Sequence, residues 1–138
     1  MHGLSNHLLN TPWPKIRRSK LAVEALLGAK ETELAAGLFE LLADRSVAPD
    51  HELPQTGIDL QRERELSAVF ISGERYGTRA STVVLVHANG DVLFIERSFG
   101  AGGMPLGVVS RRFRLDALGP LTKQKINSDD ENNLSLLG

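Results

Sequence analysis

An α+β fold, with helices leading and an antiparallel sheet following, is what this sequence predicts. Three observations carry that expectation. Apolar residues recur at helical spacing over residues 14–28 and again over 31–43. An Asn-Gly pair at positions 89 and 90 separates two runs rich in Val, Leu and Ile, which is the strongest short-range hairpin signal. Both faces of that hairpin are apolar, so both call for cover.

The opening segment, residues 1–14, has no clear period and reads as a short strand or extended chain turning into a helix. Pro14 suits the first helical turn, where its missing N–H costs nothing. Ile16, Ser19, Val23, Leu26 and Leu27 then share one face, and Gly28 closes the helix. In the second helix Leu34, Leu38, Leu41 and Leu42 form the apolar stripe, with Glu31, Glu33 and Glu40 around it. The Pro, Asp and Gly content of residues 45–57 marks a loop. Residues 58–67 form a short helix of alternating charge that Asp59 can cap.

Residues 68–72 read as a short apolar strand, and 81–87 with 91–99 as the hairpin. A two-residue type I′ turn pairs Ala88 with Asp91, Leu85 with Phe94 and Val83 with Glu96. One face then carries Val83, Leu85, Val92 and Phe94, and the other Val84, Val86, Leu93 and Ile95. A Gly-rich stretch, 100–107, leads to a last strand near 108–115, where Arg111, Arg112 and Arg114 suit a sheet edge. The first 115 residues hold the domain. Residues 116–138 make a polar tail, expected to be mobile.

Composition narrows the function classes. The chain's 138 residues suffice for one domain with a core. Its formal net charge of −1 gives no general pull toward nucleic acid. Without cysteine it has no disulfide, thiolate metal site or cysteine nucleophile, which fits a reducing compartment. No apolar run approaches the roughly 18 residues of a membrane span. The N-terminus lacks the basic-then-apolar pattern of a signal peptide. A cytoplasmic protein without a membrane span is the expectation.

The chemistry-bearing residues each have two readings. "LPQTG" at 53–57 has the letters of a cell-wall sorting signal, but no apolar segment and basic tail follow it, so it reads as a loop. Gly100, Gly102, Gly103 and Gly107 suggest phosphate binding but lack the Lys-Ser/Thr ending of a P-loop, and positive-φ turn positions explain them more simply. His2, His7, His51 and His87 show no zinc spacing, so no metal site is expected. His7 is the best ligand candidate among them, against a hydrogen-bonding role. Lys15, Arg17, Arg18 and Lys20 form an acid-free basic cluster, either a solvated first turn or a receptor for carboxylates or phosphates. Arg79, beside Tyr76, leads into an apolar strand and calls for a partner, structural or ligand. Asn6 is a polar residue in a stretch of small and apolar ones.

The segments "GLSNHLLNTPWPK", "LPQTGIDLQRERELSAVFI" and "YGTRASTVVLV…ERSF" resemble the NRDE family (transport and Golgi organisation protein 2-like). The resemblance runs from residue 3 to about residue 113, and makes residues 1–115 the C-terminal portion of that family's domain. It implies an Ntn-hydrolase-like αββα sandwich, in which this antiparallel sheet has helices on one face and a second sheet on the other. That arrangement accounts for the two-faced hairpin. The family's naming Asn-Arg-Asp-Glu motif and N-terminal cysteine are absent here, so Met1 falls inside the family domain. One sheet face is then open unless a second copy of the chain covers it. The resemblance implies non-catalytic binding and trafficking of haem, with no catalytic residue in this chain. Arg17, Arg18 or Arg79 would meet propionates and His7 would ligate iron. Asn6 and Tyr76 complete the expected ligand set. The alternative it implies is an Ntn-type amidohydrolase, or its degenerate remnant, which would need a nucleophile that His2 does not supply.

Overall fold

A computed structural model describes residues 1–115. The tail expected at 116–138 lies outside the described residues. The elements run α1 (Pro14–Leu26), α2 (Glu31–Leu42), α3 (Leu60–Leu66), β1 (Ala80–Val86), β2 (Asp91–Phe99) and β3 (Pro105–Arg114). The strands make one antiparallel sheet in the order β1-β2-β3. The mixed α+β expectation therefore holds, with helices on one face of the sheet. Among the described residues no helix is long and apolar enough to cross a membrane.

Pro14 opens α1 as expected, after Trp13 in extended conformation. The helix stops at Leu26, and Gly28 turns the chain at φ +91°. Leu27, expected on the buried face, is 69% exposed because it lies beyond the last helical residue. In α2 the buried residues are Ala35 and Phe39, one turn apart, whereas Leu34, Leu38, Leu41 and Leu42 are only half-buried. The helix lies between two layers, α1 and β1. The leucines surround a narrower line of full burial. Gly37 lets α1 come close, since a Cβ there would sit 2.5 Å from Leu26 Cδ2.

The hairpin is where expected but its register differs. His87 N–H donates to the Asp91 carbonyl at 2.8 Å, and Gly90 N–H to the His87 carbonyl at 2.9 Å, with Gly90 at φ +87°. The loop is thus three residues, 88–90, with the left-handed glycine ending a longer turn. Val83 pairs with Ile95 and Leu85 with Leu93, one step from the expected register. That step changes which residues share a face. Val83 and Leu93, both buried, turn with Ser81 and Arg97 toward α2. Val84, Val86, Phe94, Val109 and Phe113 turn the other way. On that second face Val92 is buried in the middle of the sheet, but Val84 is 51% exposed, Val86 62% and Phe113 50%, so this face is left largely open.

The strand expected at 68–72 is replaced by a turn with a single bridge between Ser72 and Gly77. Its backbone partners lie elsewhere. Phe70 N–H donates to the Asp44 carbonyl at 2.8 Å, and Ile71 N–H to Thr78 Oγ1 at 3.0 Å. β3 begins at Pro105, earlier than expected, with a register shift opposite Ser98 and Phe99. All ten of its residues are exposed, as an edge strand with three arginines should be.

Glu31 ties the start of α2 to the sheet. Its carboxylate accepts from His87 Nε2 at 2.6 Å and from both Nη atoms of Arg112. The Arg112 hydrogen bond, then that of His87, holds the Glu31 carboxyl below its usual range. A carboxyl with a lowered folded-state pKa stabilises fully above its unfolded pKa, and that contribution fades as pH falls through the lowered value. Glu31→Gln should therefore lower the urea midpoint near neutrality, and the gap to the parent chain should close at the acid end of a pH series. An unchanged gap across that series would count against the tie.

Candidate functional site

A cleft of about 290 Å³ opens between the start of α1, the loop 54–58 and α3. Trp13, Pro14, Ile58 and Leu66 give it apolar walls, and Asn6, Lys15, Thr56 and Glu63 bring the polar groups. Glu63 sets its shape. The side chain is only 5% exposed, and Oε1 accepts from Thr56 N–H at 2.5 Å and from Thr56 Oγ1 at 2.6 Å. The loop can fold back to meet it because Gln55 and Gly57 take positive φ, +51° and +93°. Asp59 caps α3 as expected, accepting from Arg62 N–H at 2.9 Å.

Lys15 is half-buried, and its Nζ donates to the Leu66 carbonyl at 2.8 Å. Among the described residues it has no acid within ion-pair distance. Burial pushes its ammonium pKa down. A cation without a carboxylate on an apolar wall can receive an anionic group.

The segment before α1 forms a closed loop, in which Asn10 N–H donates to the Gly3 carbonyl at 2.7 Å and Gly3 N–H to Asn10 Oδ1 at 3.0 Å. His7 stands on this loop, its ring centroid 5.7 Å from that of Trp13. His7 Nδ1 lies 2.9 Å from Thr11 Oγ1, which donates its own proton to the Leu8 carbonyl at 2.8 Å. The hydroxyl has one proton, so it accepts from Nδ1–H, and the Nε2 lone pair is left outward. That is the tautomer a metal-binding imidazole uses when its other nitrogen is held by a hydrogen bond.

The other expected ligand residues are spread out. Arg17 donates to the Pro12 carbonyl at 2.7 Å and pairs with Glu52. Arg18 donates to the Ser46 carbonyl at 2.9 Å, and its buried Nε lies 3.5 Å from Asp44 Oδ2 without a hydrogen bond. Both arginines thus hold α1 against the 44–52 segment. Tyr76 is 51% exposed, with the Arg62 guanidinium 5.6 Å from its ring centre. Arg79 is exposed, and its backbone carbonyl accepts from Phe99 N–H at 2.8 Å. Asn6 and His7 therefore gather near the cleft, whereas Tyr76 and Arg79 lie on the approach to β1. Among the described residues no three His, Asp or Glu side chains gather as a metal site. Glu63, Thr56 and Trp13 were not expected from sequence. In a run of alternating charges one acidic residue reads like the next, and only the Thr seven positions earlier hints at a partner.

A half-covered antiparallel sheet with a cleft beside its helices defines an α+β domain with a ligand-sized recess. The Transport and Golgi organisation 2 family matches residues 1–101, and the chain belongs to that family. It is 37% identical over 124 residues to the Transport and Golgi organization protein 2 homolog of Bos taurus, covering 84% of this chain and 45% of the relative. The Homo sapiens homolog is 36% identical over 104 residues, covering 70% and 38%. Transport and Golgi organization protein 2 of Drosophila melanogaster is 29% identical over 139 residues, covering 96% and 44%. The chain spans less than half the length of the curated relatives it matches.

Removing the Glu63 carboxylate breaks its hydrogen bonds from the Thr56 N–H and hydroxyl, and hydrogen bonds to a charged group are worth about 1.5–3 kcal/mol. Glu63→Ala should lower the unfolding free energy by about that much, and Glu63→Gln by less, because an amide oxygen still accepts. Urea unfolding monitored by Trp13 fluorescence tests this. Equal losses for the two variants would remove Glu63 from its anchoring role.

Proposed function

We propose that this chain is a non-catalytic binding protein acting in the cytoplasm, whose cleft receives haem as a carried ligand. The observation behind this reading is the apolar recess with one acid-free cation, Lys15, and an imidazole beside it whose Nε2 is unoccupied by any described residue. The recess volume of about 290 Å³ falls at the lower end for a small-molecule site. Haem would therefore insert one edge and lie across the mouth, with Trp13 against the ring. Lys15, on the first turn of α1, is the cation nearest to hand for propionates, while Arg17 is held by Glu52 and contributes less. His7 Nε2 is the axial donor. Arg18 is held by Asp44 and Ser46 and contributes less, whereas Arg79 and Tyr76 would serve only a ligand reaching toward β1.

Haem titration of the purified chain should give a saturable Soret shift at micromolar ligand. His7→Ala should change the position of the band, and Lys15→Met should weaken binding several-fold with the band position kept. A flat titration sinks haem as the ligand. An unchanged spectrum in His7→Ala removes His7 as the axial group.

The open sheet face supports the finer fold reading, an Ntn-hydrolase-like αββα sandwich. The occupant we assign to it is a second sheet from the part of the family domain that lies outside this chain's share of its relatives. Val84, Val86, Val109 and Phe113 supply the surface such a sheet needs. In the chain alone, a second copy is the available cover. Sedimentation of this chain should show concentration-dependent association that a Val84→Glu, Val86→Lys double variant abolishes. A wild-type chain that stays monomeric and binds no apolar dye would overturn the assignment.

A further inference from the structure

A second cavity, about 140 Å³, lies beneath the turn 100–104, between the end of α2 and the sheet. Two guanidinium groups line it. Arg97 stacks over the Phe39 ring with its central carbon 4.0 Å from the ring centre, and Arg45 over Phe70 at 4.9 Å. Stacking uses the flat faces of a guanidinium and leaves its in-plane N–H donors unengaged. Among the described residues neither group has a hydrogen-bond acceptor or a carboxylate partner. Arg17, Arg18, Arg64, Arg112 and Arg114 each have an acid within 4.0 Å, whereas Arg45 and Arg97, like Arg62, Arg75, Arg79 and Arg111, have none among the described residues; Arg45 and Arg97 are set apart because both line one cavity. No acid stands on the cavity wall. Two like charges facing one small space repel, and an anion between them would reverse the sign of that interaction.

Ser81 adds an independent observation. It is 6% exposed and lines the same cavity, yet its hydroxyl makes no hydrogen bond to a described residue. Its oxygen is reached by solvent through the cavity, since among the described residues Arg18 Nε alone is sealed without a partner. Gly103 completes the construction. It is buried at φ +78°, and a Cβ there would lie 2.7 Å from Phe70 Cε1 and 3.0 Å from Arg45 Nη2. The positive φ and the Phe70 ring together require glycine there, and the Arg45 guanidinium lies against the space it leaves. The loop's own N–H groups are engaged internally, with Gly102 donating to the Gly73 carbonyl and Gly103 to the Gly100 carbonyl, each at 3.2 Å. The donors that face the cavity are therefore side chains.

We propose that Arg45, Arg97 and Ser81 form an oxyanion site that takes the phosphate group of a small molecule. The volume suits one ionic group with the rest of the molecule outside. Two uncompensated positive charges favour a dianion over a carboxylate. The site shares no lining residue with the α1–α3 cleft, so it stands or falls apart from the haem reading.

Arginine side-chain N–H spectra of the full chain, recorded while inorganic phosphate is added at constant ionic strength, test it. Saturable shifts are expected at Arg45 and Arg97 and not at Arg111, an exposed arginine on the open face. Arg45→Gln should weaken phosphate binding about tenfold or more, with Arg45→Lys in between, since losing one charge-assisted bidentate contact has effects of that order. Far-UV circular dichroism checks that each variant folds, and the wild-type titration is informative without them. Three results would overturn the proposal: no saturable shift, equal shifts at Arg111 or with sodium chloride, or tighter binding of acetate than of phosphate.

Discussion

Helix α2 is held at three points along its length, and the rest of the structure is arranged around it. At its start Glu31 reaches both sheet edges, through His87 after β1 and Arg112 on β3. In the middle Ala35 and Phe39 are buried toward the sheet while Gly37 admits Leu26 of α1. Just past its end the Asp44 carbonyl accepts from Phe70 N–H, and the Asp44 carboxylate faces Arg18. A buried aromatic removes on the order of 150–250 Å² from water, far more than any single surface ion pair contributes in free energy. Phe39 therefore supplies the cohesion and the charged contacts at either end supply alignment. Both cavities are consequences. One lies at the far side of α1, and the other fills the gap where the Phe39 ring meets the sheet's beginning.

How far this was legible in the sequence follows from which interactions are local. Pro14, Asp59 and the Asn89-Gly90 pair act within a few residues of themselves, and each marked its element correctly. The hairpin register failed because Asn-Gly also fits a three-residue loop, where only Gly90 needs positive φ; the choice is made by pairing beyond the turn. The apolar stripe of α2 failed for a related reason. Leucines ring a helix that touches two layers, and full burial then falls on the residues between them. Residues 68–72 have strand composition, yet their N–H groups found Asp44 and Thr78, partners set by tertiary packing. Of the cleft's surroundings, Asn6 was legible as a polar residue in a stretch of small and apolar ones, and His7 through the family resemblance. Glu63 was not, since its burial depends on a loop folding back over seven positions.

Two groups among the arginines differ in a way that bears on chemistry more than on stability. Those beside acids fasten segments together: α1 to the 44–52 segment, α3 to Asp50, β3 to α2 and to the hairpin turn. Their carboxylate partners Glu31, Asp50 and Asp91 are held below their usual pKa range chiefly by the arginine hydrogen bonds. Arg45 and Arg97 instead rest on aromatic rings, which fixes their position without neutralising them. Positioned, uncompensated charge is what an anion site requires. A fastening arginine has given up that capacity to its partner.

The two faces of the sheet separate folding from binding. None of the residues lining the α1–α3 cleft belongs to a strand, so that cleft depends on the helical side and on Glu63 alone. The opposite face carries Val84, Val86, Val109 and Phe113 in contact with solvent, a surface that a folded monomer ordinarily keeps small. Apolar residues alternate onto both sides of the hairpin, while helices cover only one. The family's curated relatives are more than twice as long as the stretch they share with this chain. Cover for the second face would add to stability, whereas the recess beside α1 takes its described walls from the helical side. Trp13 and Lys15 line that recess from α1's start, with the His7 ring against Trp13, on the side of the molecule away from the open sheet face.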